Sequence, residues 1–203
     1  ILNSSRMSIL PCDCVSEEEI KSLAATMKHN SKLLTRLILI LLDSSDATFS
    51  ETAISRNRET VPANTAMMEM VDYVMQLYPD LRVIGFETEV PDDLLITTNR
   101  QFLQYSLAEV LLNAAKYSDG QHIMTRITRT DTTIRFIIED TGKGIAEADR
   151  ERIFKFFTKV DDFSEGLGLG LPRARRHVEN LGGKFWLDTS YHDGCRFIFE
   201  FPL

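Results

Sequence analysis

Ile20, Leu23, Met27, Asn30, Leu34, Leu37 and Leu41 advance in steps of three and four, the spacing that lines side chains along one side of an α-helix. Ser16 and Glu19 precede them with the spacing of a capping box, and Glu17 and Glu18 add negative charge at the positive end of the helix dipole. The stripe predicts one helix from Ser16 to about Asp43, roughly 40 Å long at 1.5 Å per residue. A seam so narrow and long fits a coiled coil or bundle, with Asn30 as the polar member that sets register. A plain amphipathic helix lying on a globular domain carries a similar stripe, and that reading stays open. Ahead of it, "ILNSSRMSILPCDC" reads as the end of another helix, stopped near Pro11. Residues 44–60 read as a polar linker.

Beyond the linker the periods alternate. Residues 63–77 read as an amphipathic helix, 82–90 as a strand and 99–117 as a long helix. Strands follow at 122–129 and 133–140, joined by a tight turn at Asp131-Thr132, then short helical segments around 147–157. A helix over 171–181 is ended by Gly182-Gly183, and a hairpin closes through 184–189 and 195–201 with Asp193-Gly194 at its turn. Phe197, Phe199 and Phe201 share one strand face, as do Ile134, Phe136 and Ile138. The expected fold is α/β (α+β): a two-layer sandwich whose mixed, mostly antiparallel sheet is covered on one face by helices, preceded by the long helical segment.

Composition narrows the picture only a little. The 203 residues are 43% hydrophobic and 26% charged, as in ordinary globular proteins. A net charge of −7 argues against a general nucleic-acid-binding surface, and no apolar run is long enough to span a membrane. Cys12, Cys14 and Cys195 make neither a disulfide framework nor a zinc site, and free thiols fit a reducing, cytoplasmic setting.

The chemistry concentrates in three segments. In "AEVLLNAAKYS", Glu109, Asn113 and Lys116 fall within about 60° of one another on a helix, bordering the apolar face of Leu103, Leu107, Val110 and Ala114. A carboxylate, an amide and an ammonium gathered there suit a water, a metal ion and a phosphate; a solvated ladder of hydrogen bonds is the competing reading. In "IIEDTGKGI" an apolar strand ends at Asp140, whose carboxylate can accept a hydrogen bond from an exocyclic amine, and Gly142 and Gly144 let a flat ring approach the backbone. In "EGLGLGLP", Gly166, Gly168 and Gly170 stand directly before a helical pattern. Their bare amides and the helix's positive end suit a polyanion, Pro172 is tolerated in the first turn, and the interleaved leucines pin the loop to the core. The loop is neither a G-x-x-x-x-G-K-[ST] nor a G-x-G-x-x-G motif, because Leu171 stands where the third glycine of the latter belongs.

In this order, with "RIFKFFTKVD" between the last two, the segments closely resemble the ATP-binding domain of sensor histidine kinases, a superfamily shared with type II topoisomerase, mismatch-repair and chaperone ATPases. The resemblance runs from about residue 60 to the end. It implies that ATP and Mg²⁺ are bound, with Asn113 holding Mg²⁺ between the phosphates and Lys116 contacting a phosphate. It implies that Glu109 polarises the phosphate acceptor or a water, and that Lys159 reaches the terminal phosphate. Tyr117 flanks the nucleotide, Asp140 reads adenine, and Gly142 and Gly144 lie beneath the ring with Ile145. Phe154 and Phe157 anchor the lid, while Gly166, Leu167, Gly168, Leu169, Gly170 and Leu171 form the phosphate-binding loop.

The N-terminal part resembles the family's dimerisation and phosphoacceptor hairpin more weakly, Ser16 to Asp43 matching its second helix. The implied division is 1–50, a partial hairpin with the start of a linker, and 60–203, the ATP-binding domain. The implied partners are a second copy through the N-terminal helices and a response-regulator receiver domain, with neither nucleic acid nor a membrane segment in this stretch. In the family the phosphorylated histidine lies just ahead of the residues matched here, and His29, His122, His177 and His192 do not replace it. Many members are membrane-anchored by segments preceding this region. Only "TKVDDFSE" separates Phe157 from Gly166, a short lid that predicts fast nucleotide exchange. The expected function is transfer of the γ-phosphoryl of ATP to a histidine; a nucleotide-binding regulatory module without histidine phosphorylation is the alternative.

Overall fold

A computed structural model describes residues 20–31, 34, 38, 57–81, 84–118, 122–158 and 168–203. The chain falls into two units, Ile1–Phe49 and Ser50–Leu203. In the first, residues 20–31 form a helix, α1, and positions 34 and 38 are also helical. The apolar stripe of this unit is exposed at Ile20, Leu23, Met27, Leu34 and Ile38. Leu37 and Leu41 of the expected seam, the capping residues Ser16 and Glu19, and the stretch up to Pro11 lie outside the described residues.

The second unit runs β1 (Glu59–Pro62), α2 (Ala63–Leu77), β2 (Ile84–Thr88), β3 (Leu95–Thr98), α3 (Arg100–Tyr117), β4 (Ile123–Arg129), β5 (Thr133–Asp140), two single 3₁₀ turns (Glu147–Asp149 and Arg152–Phe154), α4 (Gly170–Asn180), β6 (Lys184–Leu187) and β7 (Cys195–Pro202). The main sheet has the order β2-β4-β5-β7-β6; β2 pairs parallel with β4 and every other pair is antiparallel. This is the expected mixed, mostly antiparallel sheet.

Its inner face is built by alternation. Ile127 of β4 lies opposite Phe136 of β5, Phe136 opposite Phe199 of β7, and Phe199 opposite Phe185 of β6. The Phe185 and Phe199 rings stack at 4.4 Å with planes 11° apart. These four side chains share one core with Met67 and Val74 of α2, Leu103 and Leu107 of α3 and Val178 of α4. Burying a side chain of this size is worth about 1.5–3 kcal/mol, so this packing holds the layers together. The other face carries charge. Arg126 bonds Glu87 at 2.6 Å and Glu139 at 2.9 Å, and Arg196 joins Glu139 at 2.7 Å to Asp188 at 3.2 Å.

Two helices have well-defined ends. Asn99 caps α3 by accepting from the Phe102 amide at 3.2 Å, and Lys116 in the last turn complements the dipole. At the end of α4, Gly182 has φ 82°, its amide donates to Glu179 O, and Gly183 N donates to Val178 O, both at 2.9 Å. That is a Schellman stop, as the glycine pair predicts.

The linker departs from expectation. It does not extend to residue 60, because Glu59 and Thr60 already belong to β1, which pairs antiparallel with β3 as a separate two-stranded sheet. Each of these strands has four residues, with Val61 and Ile96 as its buried apolar member, too short a run for alternation to declare itself. The short helical segments expected around 147–157 are the two 3₁₀ turns.

Candidate functional site

The site is organised on α3. Leu103, Leu107, Val110 and Ala114 are buried, and along the border of that face Glu109 and Asn113 are half-buried and Lys116 exposed. Glycines from two distant segments press on this helix. Gly170 lies so close to the Glu109 carboxylate that a Cβ there would collide with Oε2. Near the helix end, a Cβ on Gly142 would stand 2.5 Å from the Tyr117 carbonyl oxygen. Glu109 and Tyr117 are eight positions apart, about 12 Å along the axis. The second and third motifs therefore meet the first at two stations of one rigid element.

At the Tyr117 station, Asp140 ends β5 with 6% of its surface exposed. Its Oδ1 accepts from Gly142 N at 2.9 Å and from Cys195 N at 3.3 Å, so amides from two segments hold it. Burial pushes its carboxyl above the usual range, against the pull of those two amides. Both bonds fall on Oδ1, leaving Oδ2 uninvolved in them. Gly194 packs against the Asp140 carbonyl, where any side chain would collide, and Gly144 has φ 68°. Ile145 packs half-buried on the core, and Tyr117 is half-buried with Lys116 Nζ 5.3 Å from its ring centroid. The Ser118 hydroxyl is buried with no hydrogen-bond partner among the described residues. An orphaned hydroxyl, a carboxylate aligned through one oxygen and glycine backbones that tolerate no Cβ suit a flat polar ring.

At the Glu109 station, Phe157 takes φ 61°, rare for a residue with a side chain, and its amide donates to Gly168 O at 3.0 Å. Gly168 has φ 69° and packs against the backbone of Thr158, where a Cβ would collide. This clasp delivers the chain to α4, which begins at Gly170, one residue earlier than the sequence pattern suggests. Leu169 precedes the helix and Leu171 packs on the core. The first intrahelical bond runs from Arg173 N to Leu169 O at 3.1 Å, so the amides of Gly170 and Leu171 have no partner within the helix. Phe154 stands edge-on to Phe185 at 5.4 Å and to Phe197 at 6.4 Å, with the Arg175 guanidinium 4.2 Å from its centroid. Phe157, by contrast, meets the ring of its neighbour Phe156, at 6.4 Å. The lid from Lys159 onward, and Gly166 and Leu167 of the glycine loop, lie outside the described residues.

The structure thus gathers Glu109, Tyr117, Asp140, Gly142, Gly168 and Gly170 around one helix. It also brings in Gly194 and Cys195, which the sequence pattern offers only as a turn and a strand start. The register of β5 with β7, Asp140 opposite Cys195, puts them there. Among the described residues no group of three or more His, Cys, Asp or Glu could hold a metal ion. A cation bound here would be held by an amide oxygen such as that of Asn113 together with ligand phosphates, the usual habit of Mg²⁺.

Comparison with known proteins agrees with this geometry. Residues 98–203 match the family model described as histidine kinase-, DNA gyrase B- and HSP90-like ATPase. The chain is 28% identical to the sensory/regulatory protein RpfC of Xanthomonas campestris pv. campestris over 199 residues, covering 92% of this chain and 27% of RpfC. It is 27% identical over 189 residues to the adaptive-response sensory kinase SasA of Nostoc sp., covering 91% of this chain and 46% of SasA. The chain therefore spans between a quarter and a half of these relatives. Among solved structures, the catalytic domain of histidine kinase ThkA superposes with a TM-score of 0.64 at 26% identity, covering 71% of this chain and 97% of that one. The mycobacterial sensor histidine kinase MprB does so with a TM-score of 0.62 at 25% identity and the same coverages. A family match over the stretch that carries all three motifs, with a sensory kinase and histidine kinase catalytic domains among the proteins it resembles, leads to one conclusion: the chain belongs to the histidine kinase-, DNA gyrase B- and HSP90-like ATPase family and contains a sensor-histidine-kinase ATP-binding catalytic domain.

Proposed function

We propose that this protein uses ATP and Mg²⁺ to phosphorylate a histidine on a helix of a dimerisation hairpin, for relay to an aspartate of a response-regulator receiver domain. The observation that carries the reading is that Gly170 and Gly142 meet α3 at Glu109 and at Tyr117, framing one elongated site. In this reading Asp140 accepts from the adenine amine through the oxygen its backbone amides leave uninvolved. Tyr117 flanks the base, with Ile145 and the Gly142 and Gly144 backbone against its face. The amides of Gly166, Leu167, Gly168, Leu169, Gly170 and Leu171 bind the phosphates, together with Lys116 and, from the lid, Lys159. Asn113 supplies an oxygen ligand to Mg²⁺, which when bound neutralises charge on the phosphates. Glu109 takes the proton that the attacking imidazole loses as the P–N bond forms and the P–O bond to the departing nucleoside diphosphate breaks.

Residues 1–50 would contribute a helical hairpin and the start of a linker, and 60–203 the catalytic domain. The exposed stripe of α1 supports pairing with a second copy of this chain. Among the described residues no helix is long and apolar enough to cross a membrane, and the described cysteine, Cys195, is a free buried thiol, which suits a reducing cytoplasm. The test supplies the protein with Mg²⁺·ATP and a separate acceptor-helix protein. Acid-labile phosphate appearing on the acceptor histidine supports the kinase; measurable ATP binding with no such phosphate overturns it in favour of a regulatory nucleotide-binding module.

A further inference from the structure

We propose that Gly170 is a positioning residue: the Glu109 carboxylate occupies the place where a side chain at 170 would stand, and this seat fixes the carboxylate against the start of α4. The inference rests on the kinase reading above for the proton that Glu109 takes, and on this chain's own packing for how the group is held. Helices α3 and α4 run in opposite directions along a ladder with one pair per turn. At its first rung the Phe102 and His177 rings lie 4.3 Å apart. At the second, the buried Ser106 hydroxyl donates to Phe102 O at 2.8 Å and reaches across to Ala174 O at 3.4 Å, and Ala174 is fully buried. The next rung is Glu109 against Gly170. The first two pairs set the register of the helices, and that register brings Gly170 to the carboxylate.

Its surroundings separate Gly170 from the other glycines of the site. A Cβ on Gly142, Gly168 or Gly194 would strike backbone atoms, those of Tyr117, Thr158 and Asp140 respectively, and Gly168 also has φ 69°. A Cβ on Gly170 would meet Glu109 first: Oε2 in collision, then Cδ at 3.0 Å and Cγ at 3.7 Å. Gly170 is not among the residues of positive φ, and it stands in a helix, where alanine is the better former. The backbone therefore has no need of glycine at this position, whereas the carboxylate does. A methyl there would push the carboxylate away by roughly an ångström while the helices stay in place, because the end of a glutamate turns about its χ angles and a packed ladder does not. Burial raises the Glu109 carboxyl above its ordinary range, which suits a group that has to accept a proton. One residue thus gives the site both an amide at the head of α4 and a seat that ties the proton acceptor to the same helix start.

Gly170→Ala tests this. Its urea midpoint should be no lower than the parent's, since alanine favours the helix, while kcat for histidine phosphorylation should fall about a hundredfold, as a misplacement of about 1 Å can produce. Glu109→Gln, which keeps the shape and removes the base, separates the two routes by which Gly170 could act. Through the carboxylate, adding Gly170→Ala to Glu109→Gln lowers kcat by no more than about twofold further. Through the phosphate-binding amide, the two losses multiply, and that result overturns the positioning proposal, as does a parent-like kcat in Gly170→Ala alone. A second readout does not depend on turnover: crystal structures of the apo parent and Gly170→Ala should show the Glu109 carboxyl displaced and α4 unmoved. A carboxyl that keeps its place while α4 shifts overturns the proposal. A parent protein that binds ATP but phosphorylates no histidine overturns the kinase reading and leaves the two crystal structures to decide the seat.

Discussion

Gly142→Ala is the substitution from which the geometry predicts most. The new Cβ would stand 2.5 Å from Tyr117 O and 3.1 Å from Tyr117 C, both backbone atoms that no rotamer change can move aside. Ordinary contact begins near 3.4 Å, so the loop and the end of α3 must part by roughly 0.9 Å. Forcing an extra methyl into such a contact costs about 1–3 kcal/mol. The same movement lengthens the 2.9 Å bond from Gly142 N to Asp140 Oδ1, one of the two that aim the carboxylate. Nucleotide affinity should therefore fall at least tenfold, equivalent to about 1.4 kcal/mol. Gly182→Ala is the matched control. It has φ 82° and nothing within 4 Å, so it carries only the backbone strain of the left-handed region, about 1–2 kcal/mol. Urea unfolding of each variant by circular dichroism gives stability, and titration with a fluorescent ATP analogue gives affinity. Both variants should lose stability and only Gly142→Ala should lose the nucleotide. Binding within twofold of the parent in Gly142→Ala would refute the claim that this glycine keeps the loop and helix in register for a base.

Asn113→Ala should abolish the Mg²⁺-dependent part of ATP affinity in titrations with and without the metal, while stability changes by no more than about 1–2 kcal/mol, as for a half-buried polar site. Burial raises the Asp140 carboxyl in the folded state above its unfolded value. Between those two values the folded chain holds more protons than the unfolded one, so this group's contribution to stability falls as pH rises through the window. Asp140→Asn should flatten that slope in pH-dependent urea unfolding and leave the apo protein at least as stable at neutral pH, while weakening discrimination of adenine from guanine nucleotides; an unchanged slope would contradict the assignment. Cys195 is buried and its thiol is pushed up to about 12, chiefly by burial. Iodoacetamide at pH 8 should leave the Cys195 peptide unmodified in the folded protein and alkylate it in urea, as read by mass spectrometry.

Helices and sheet were legible where a period ran long enough to declare itself. The α2 boundaries at Ala63 and Leu77 follow from one amphipathic run, and the β5–β7 core follows from two alternating sets of isoleucine and phenylalanine. The small β1–β3 sheet was not legible, because Val61 and Ile96 are single apolar positions held by pairing across 35 residues of chain. In the site, residue types and order announced the chemistry, but the fit of glycine to carboxylate did not. Nothing in "GLGLGLP" says that Gly170 touches Glu109, or that the amide aligning Asp140 comes from Cys195 rather than from the nearby loop alone. Those contacts belong to the packing of α4 on α3 and to strand register, neither of which is written in local spacing.

The bond from Phe157 to Gly168 closes a ring in the backbone before any nucleotide contact is made. For a segment whose two ends are already stitched together, each doubling in length costs only about 0.6 kcal/mol of closure entropy. The stretch between those stitches can thus be shortened, extended or exchanged in evolution as an independent cassette, while α4 and the glycines at its start keep their address.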